Sequence, residues 1–155
     1  MKKILCALIP LFLLACGPSA IRYNDALIAA QLDISADLNR IFTKNATYEN
    51  IHDNRLILVK NAEKGLEMSR NLQDFKGNSD YQKSAIQYYS FVANYFSTTL
   101  AIDSLLYYYA SKDGINHLSD ERFNQMQANF RHFQTLETEL LNQQKKFAKE
   151  FHLKL

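Results

Sequence analysis

From Ile21 onward, apolar residues return every three or four positions, the spacing that lines one face of an α-helix. A first helix is expected from Ile21 to Thr43, with Leu27, Ile28, Gln31, Ile34, Leu38, Ile41 and Phe42 turned inward. Lys44 to Thr47 reads as a turn. A second helix is expected from Tyr48 to Lys76, burying Ile51, Leu58, Ala62, Gly65, Leu66, Ser69 and Leu72. Its small residues Ala62, Gly65 and Ser69 let a neighbour approach closely, and Gly77 supplies a left-handed stop. Ser79 and Gln82 have the spacing of a capping box opening a third helix. That helix is expected to continue to about Ser111 along a seam of Ala85, Tyr88, Val92, Tyr95, Thr99, Ile102, Leu106 and Tyr109. Lys112-Asp113-Gly114 ends it. Ser119, followed by Asp120 and Glu121, caps a fourth helix that turns Phe123, Met126, Phe130, Phe133, Leu140, Phe147 and Phe151 inward.

No proline follows Pro18, and no strand pattern or repeat breaks the helical periodicity. Four helices joined by short turns favour antiparallel neighbours. The predicted fold of residues 21–155 is therefore all-α, an up-down-up-down antiparallel four-helix bundle. Later helices of about 33 residues make it a rod roughly 50 Å long. An alternative is a helical hairpin array in which the first helix, the most interrupted by polar residues, docks loosely.

The N-terminus is of another kind. Met1-Lys2-Lys3 gives a short basic start, and Ile4 to Ala15 an apolar run. A membrane-spanning helix needs about 20 apolar residues, whereas a secretory signal needs about 7–15 behind a basic start. Leu13-Leu14-Ala15-Cys16-Gly17 resembles the bacterial lipobox, with Leu14 a less usual occupant of its slot. The resemblance implies cleavage between Ala15 and Cys16, a diacylglyceryl thioether on Cys16, and a short tether over 16–20. The competing reading is an ordinary signal-peptidase site near Ala20. "YNDALIAAQLDI", following the cysteine, also resembles small helical bacterial lipoproteins of unknown function.

Processing at Cys16 changes the available chemistry. Cys6 leaves with residues 1–15 and Cys16 becomes a thioether, so no thiol remains for a disulfide, a nucleophile or a metal–sulfur site. Lys2 and Lys3 leave too. The 18 basic and 16 acidic residues of the whole sequence then become equal in number, and no cationic field attracts nucleic acid.

A tether from Gly17 to Ala20 reaches only about 15–18 Å, which keeps the start of the first helix near the bilayer. Up-down topology places the Gly77 turn and the C-terminus at that same end, with Lys44–Thr47 and Lys112–Leu118 away from it. Lys145, Lys146, Lys149 and Lys154 among Phe147, Phe151, Leu153 and Leu155 suit either anionic headgroups or a helix C-terminal dipole.

Other chemical candidates are sparse. Glu49-Asn50-Ile51-His52 has the E-x-x-H spacing of di-iron bundles, but no second copy exists. Met68 and Met126 are the remaining methionines to consider as haem ligands and suit core filling better. Asp103, beside aromatic residues, and Glu137, between Phe133 and Leu140, are candidate interior carboxylates. Seven of the nine tyrosines lie between 81 and 109. Three in succession cover about 200° of a helix, so at least one of Tyr107, Tyr108 and Tyr109 faces away from the seam. These three form the preferred partner-binding patch, at the end away from the membrane.

The expectation is a lipid-anchored, non-enzymatic binding or assembly module of a bacterial envelope, without metal or cofactor. The lipobox with Gly17 implies the outer membrane where two membranes exist. Partners are the membrane through Cys16 and an envelope protein or glycan. The alternative is a periplasmic ligand- or metal-binding four-helix bundle using Asp103, Glu137 and the tyrosines.

Overall fold

The computed structural model describes residues 19–43, 46–97, 99–110 and 118–155. The signal segment, Ala15, Cys16 and the tether to residue 18 lie outside these residues, as do Lys44 and Lys112-Asp113-Gly114. Five helices make up the described chain: α1 (Ala20–Ile41), α2 (Tyr48–Asn71), α3 (Ser79–Ser97), α4 (Thr99–Ala110) and α5 (Asp120–Glu150). The fold is all-α, with no strand among the described residues. Antiparallel packing joins α1 to α2, α2 to α3 and α3 to α5, while α4 lies along α2.

Hydroxyl caps set three of the starts. The Ser19, Thr47 and Ser119 side chains accept from the backbone N–H groups of Arg22, Asn50 and Arg122, satisfying donors that a helix leaves unpaired. The second helix ends earlier than Lys76. Leu72 is extended, and the strap after it carries Lys76 and Gly77 at positive φ. Gln82 does not close a capping box. Its amide donates to the carbonyls of Ser69 and Leu72, both at 2.7 Å, and so caps the end of α2 rather than the start of α3. That early stop lets Phe75 turn inward against Tyr23, Phe147 and Phe151, with centroids 5.3, 5.7 and 5.1 Å away.

The expected third helix is described as two helical stretches, α3 and α4, on either side of residue 98. Phe96 is buried at the end of α3 while Tyr95 is only half-buried, so the seam runs through 92 and 96 rather than 92 and 95. Tyr89, absent from the expected seam, is also fully buried and donates its hydroxyl to the Leu27 carbonyl at 2.7 Å. Tyr109, placed on that seam, is 38% exposed. The small-residue stripe of α2 does admit neighbours: a Cβ added at Gly65 would stand 2.8 Å from both Ala30 Cβ and Tyr89 Cε1.

Contacts fix the two ends of the bundle. Tyr23 of early α1, Phe75 of the α2–α3 strap and Phe147 of late α5 meet at one end. At the other, Phe42 meets Tyr109 and Phe130 at 5.7 and 5.6 Å, and Tyr48 meets Tyr107 at 6.2 Å. The start of α1, the strap at 72–78 and the end of α5 therefore share one end.

Candidate functional site

Towards the end that holds Tyr107 lies a buried ionic cluster. His52 and Arg55 sit three residues apart on α2 and so share a face. Asp103, on α4, is fully buried opposite them. Arg55 grips it with a two-pronged fork, Nε to Oδ1 and Nη2 to Oδ2, the latter at 3.1 Å. His52 Nδ1 donates to Oδ2 at 2.6 Å. The remaining guanidinium nitrogen, Nη1, donates to the Phe96 carbonyl at 2.8 Å. A buried carbonyl needs a donor, and this bond gives the Phe96 carbonyl a charged one. Arg55 thus serves the end of α3 and the carboxylate of α4 together.

Burial by itself lifts the Asp103 pKa. The hydrogen bonds and charges of Arg55 and His52 outweigh it and leave the carboxyl below its ordinary 3.8. The group is an anion held by an adjacent cation, the opposite of the raised pKa that a general acid at neutral pH requires. His52 keeps part of its ring exposed, and its second nitrogen is outside the Asp103 bond.

The other candidates are dispersed. Glu49 is exposed on the first turn of α2, and no group of three His, Cys, Asp or Glu side chains with metal-site geometry occurs among the described residues. Met68, towards the end of α2, and Met126, near the start of α5, belong to opposite ends of the bundle and share no site. Glu137 is half-buried near the Tyr88 hydroxyl, whereas Asp103 is engaged by Arg55 and His52. The Tyr107–Tyr109 triplet splits: Tyr107 turns to Tyr48 of α2, while Tyr109 packs between Phe42 and Phe130 and stays partly exposed. Tyr108 is half-buried with its ring 5.9 Å from Tyr107.

A second buried polar knot sits at the other end, where Asn24 Oδ1 accepts from the Tyr81 hydroxyl at 3.1 Å and from Gln144 at 3.3 Å. Burial pushes the hydroxyls of Tyr81, Tyr88 and Tyr89 well above their ordinary 10.0.

Arg55 is the functional-looking residue that sequence reasoning passed over. Its signal was present: 51, 55, 58, 62 and 65 follow each other by four and three, and the guanidinium occupies one of those inward slots. A cation there demands a buried partner. Comparison with protein-family models, with curated proteins and with solved structures finds no match.

Proposed function

We propose that this chain is a lipid-anchored envelope protein. In this reading Cys16 holds it to the membrane, and the helical body acts as a non-enzymatic binding or assembly module. The single observation that supports it is the arrangement of the two ends. Ser19, three residues after Cys16, caps the α1 start at the end holding Phe75 and Phe147, while Tyr107 and Tyr109 occupy the opposite one. Counting α3 and α4 as one rod, the body is an up-down-up-down four-rod bundle. With α5 running 31 residues, it would hold the tyrosines about 45 Å above the bilayer.

Two measurements test this reading. Mass spectrometry of the native product should show residues 1–15 removed and Cys16 acylated; an unmodified Cys16 refutes the anchor. A photoreactive residue at Tyr109, the most accessible position of the triplet, should capture an envelope protein or glycan in intact cells. Adducts with lipid or water alone refute the tyrosine patch.

The second reading, a ligand- or metal-binding bundle, draws on the Asp103–His52 bond, since a carboxylate behind an imidazole is how proteins orient a metal-binding histidine. Zinc titration of the His52→Ala variant against the parent separates the two: loss of a stoichiometric site favours this reading, and equal weak binding removes it.

A further inference from the structure

Between Lys83 and Lys112 the sole charged residue in the sequence is Asp103, and that carboxylate is buried and paired. The outward faces of the other long helices are charged throughout: Asp25, Asp33 and Arg40 on α1, Lys60, Glu63 and Glu67 on α2, Arg131, Glu139 and Lys145 on α5. After Lys83, α3 shows solvent only uncharged side chains. Gln87, Asn94 and Ser97 are exposed there, with Ser90, Phe91 and Tyr95 half-buried between them. A surface helix turns charged and polar residues outward; from Gln87 onward α3 keeps the polar ones and lacks the charged ones.

The shape of the surface agrees. Between α3 and α5 runs an open groove of about 680 Å³, floored by Phe91 and Tyr95 and bounded across it by His132. The Phe91 and Tyr95 rings lie parallel, 8° apart with centroids at 5.6 Å, and His132 meets Phe91 edge-on at 4.9 Å. A furrow between antiparallel helices takes the side-chain ridge of another helix. Positions 87, 91 and 94 follow by four and three, the spacing of a helix–helix seam.

We propose that the groove-side face of α3 pairs with the same face of a second copy of this chain, the two α3 helices lying parallel. Charge selects the occupant. Along the seam of two parallel helices related by a two-fold axis each residue meets its own copy, so a Lys or Glu on the centre line would face its like; from Gln87 to Ser97 α3 places none there, and Lys83, one turn earlier, lies 3.6 Å from Asp80. Gln87, Ser90 and Asn94 each carry both donor and acceptor and can bond their own counterparts. An Asn at one seam position is a device that fixes register in paired helices. The parallel direction rests on the lipid-anchor reading, because copies moored by the same end in one leaflet stand the same way up; pairing itself does not.

Single cysteines at Gln87, Ser90 and Asn94 in the full-length protein in its native membrane test the idea. In a parallel pair each position faces its counterpart, so mild oxidation gives a dimer band at all three, several-fold above Glu63→Cys on the exposed face of α2. Adding Asn94→Lys to Ser90→Cys removes the band while helix content by circular dichroism stays unchanged. No band above the Glu63→Cys control, a band at only one position as in an antiparallel crossing, or a crosslink solely to a protein of different mass each overturns the proposal. The unsubstituted parent, carried alongside, exposes any crosslinking through Cys16, and mass spectrometry of that residue judges the anchor separately from the pairing.

Discussion

Replacing Asp103 by leucine leaves the Arg55 guanidinium, itself only 5% exposed, without its carboxylate. Breaking a buried pair from one side costs about 3–5 kcal/mol, because the surviving charge is uncompensated. His52 adds little to this figure, since its side chain is 37% exposed and returns to water. Arg55→Met is expected to cost a similar amount: it strands the carboxylate with His52 alone and removes the partner of the Phe96 carbonyl, a loss of about 1–3 kcal/mol by itself. The double variant Arg55→Met/Asp103→Leu strands no charge. Its cost should fall to that of the Phe96 carbonyl alone, so the double is more stable than either single variant by about 2 kcal/mol.

Urea unfolding followed by circular dichroism measures all four corners of this cycle. At neutral pH each single variant should lower the unfolding free energy by about 3–5 kcal/mol, a large share of a stability of about 5–15 kcal/mol. The pH dependence has a fixed sign. The folded carboxyl titrates below its unfolded value of 3.8, so its stabilising contribution is complete above that value and is lost as pH falls through the lower, folded one. The gap between parent and double variant should therefore change below about pH 4 and stay flat above it. A double variant as unstable as the worse single variant would refute the reasoning, since the cost would then lie in lost packing and not in an abandoned charge.

Gly65→Ala sets two effects against each other. Alanine favours the helix by about 1 kcal/mol, but its Cβ would meet Ala30 and a Tyr89 ring whose hydroxyl is tied to the Leu27 carbonyl. Overpacking of this kind costs about 1–3 kcal/mol, so a net loss in chemical denaturation is expected, and a gain would show that Tyr89 swings away freely. Tyr81, Tyr88 and Tyr89 hold folded pKa values raised above 10.0 by burial. Their contribution is complete below that value and declines as pH rises beyond it, so their tyrosinate absorbance should appear together with the loss of helix signal. Smooth ionisation of all nine tyrosines ahead of unfolding would contradict their burial.

Where local chemistry decides, the sequence was readable. Ser119 caps α5 as its hydroxyl and the following acids implied, and α2 starts at Tyr48 behind Thr47. The inward residues Leu27, Ile34, Ile51, Leu58, Ala62, Val92 and Leu140 are all buried, because a 3.6-residue period leaves each helix one apolar face. Distant partners were not readable. Gln82 stands at capping-box spacing from Ser79, yet the carbonyls of Ser69 and Leu72 win its amide because α2 ends within its reach. Nothing local marks that end, since Leu72 to Lys76 contains neither Gly nor Pro.

The inward turn of Phe96 in place of Tyr95 shows why the ionic cluster escaped a residue-by-residue reading. Along an uninterrupted helix, a seam through 95, 99 and 102 leaves 103 beside the core, where a carboxylate can reach water. Shifting to Phe96 moves the inward face by one position, and 96, 103 then stand seven apart on it. The carboxylate enters the core on this face, on the same helix face as the Phe96 carbonyl that Arg55 also meets. One residue answers both demands, since Arg55 has a fork for Asp103 and a third nitrogen for Phe96. Read singly, Arg55 looks like a polar interruption of α2 and Asp103 like an edge residue. Considered as a pair of opposite charges in two inward slots, each accounts for the other.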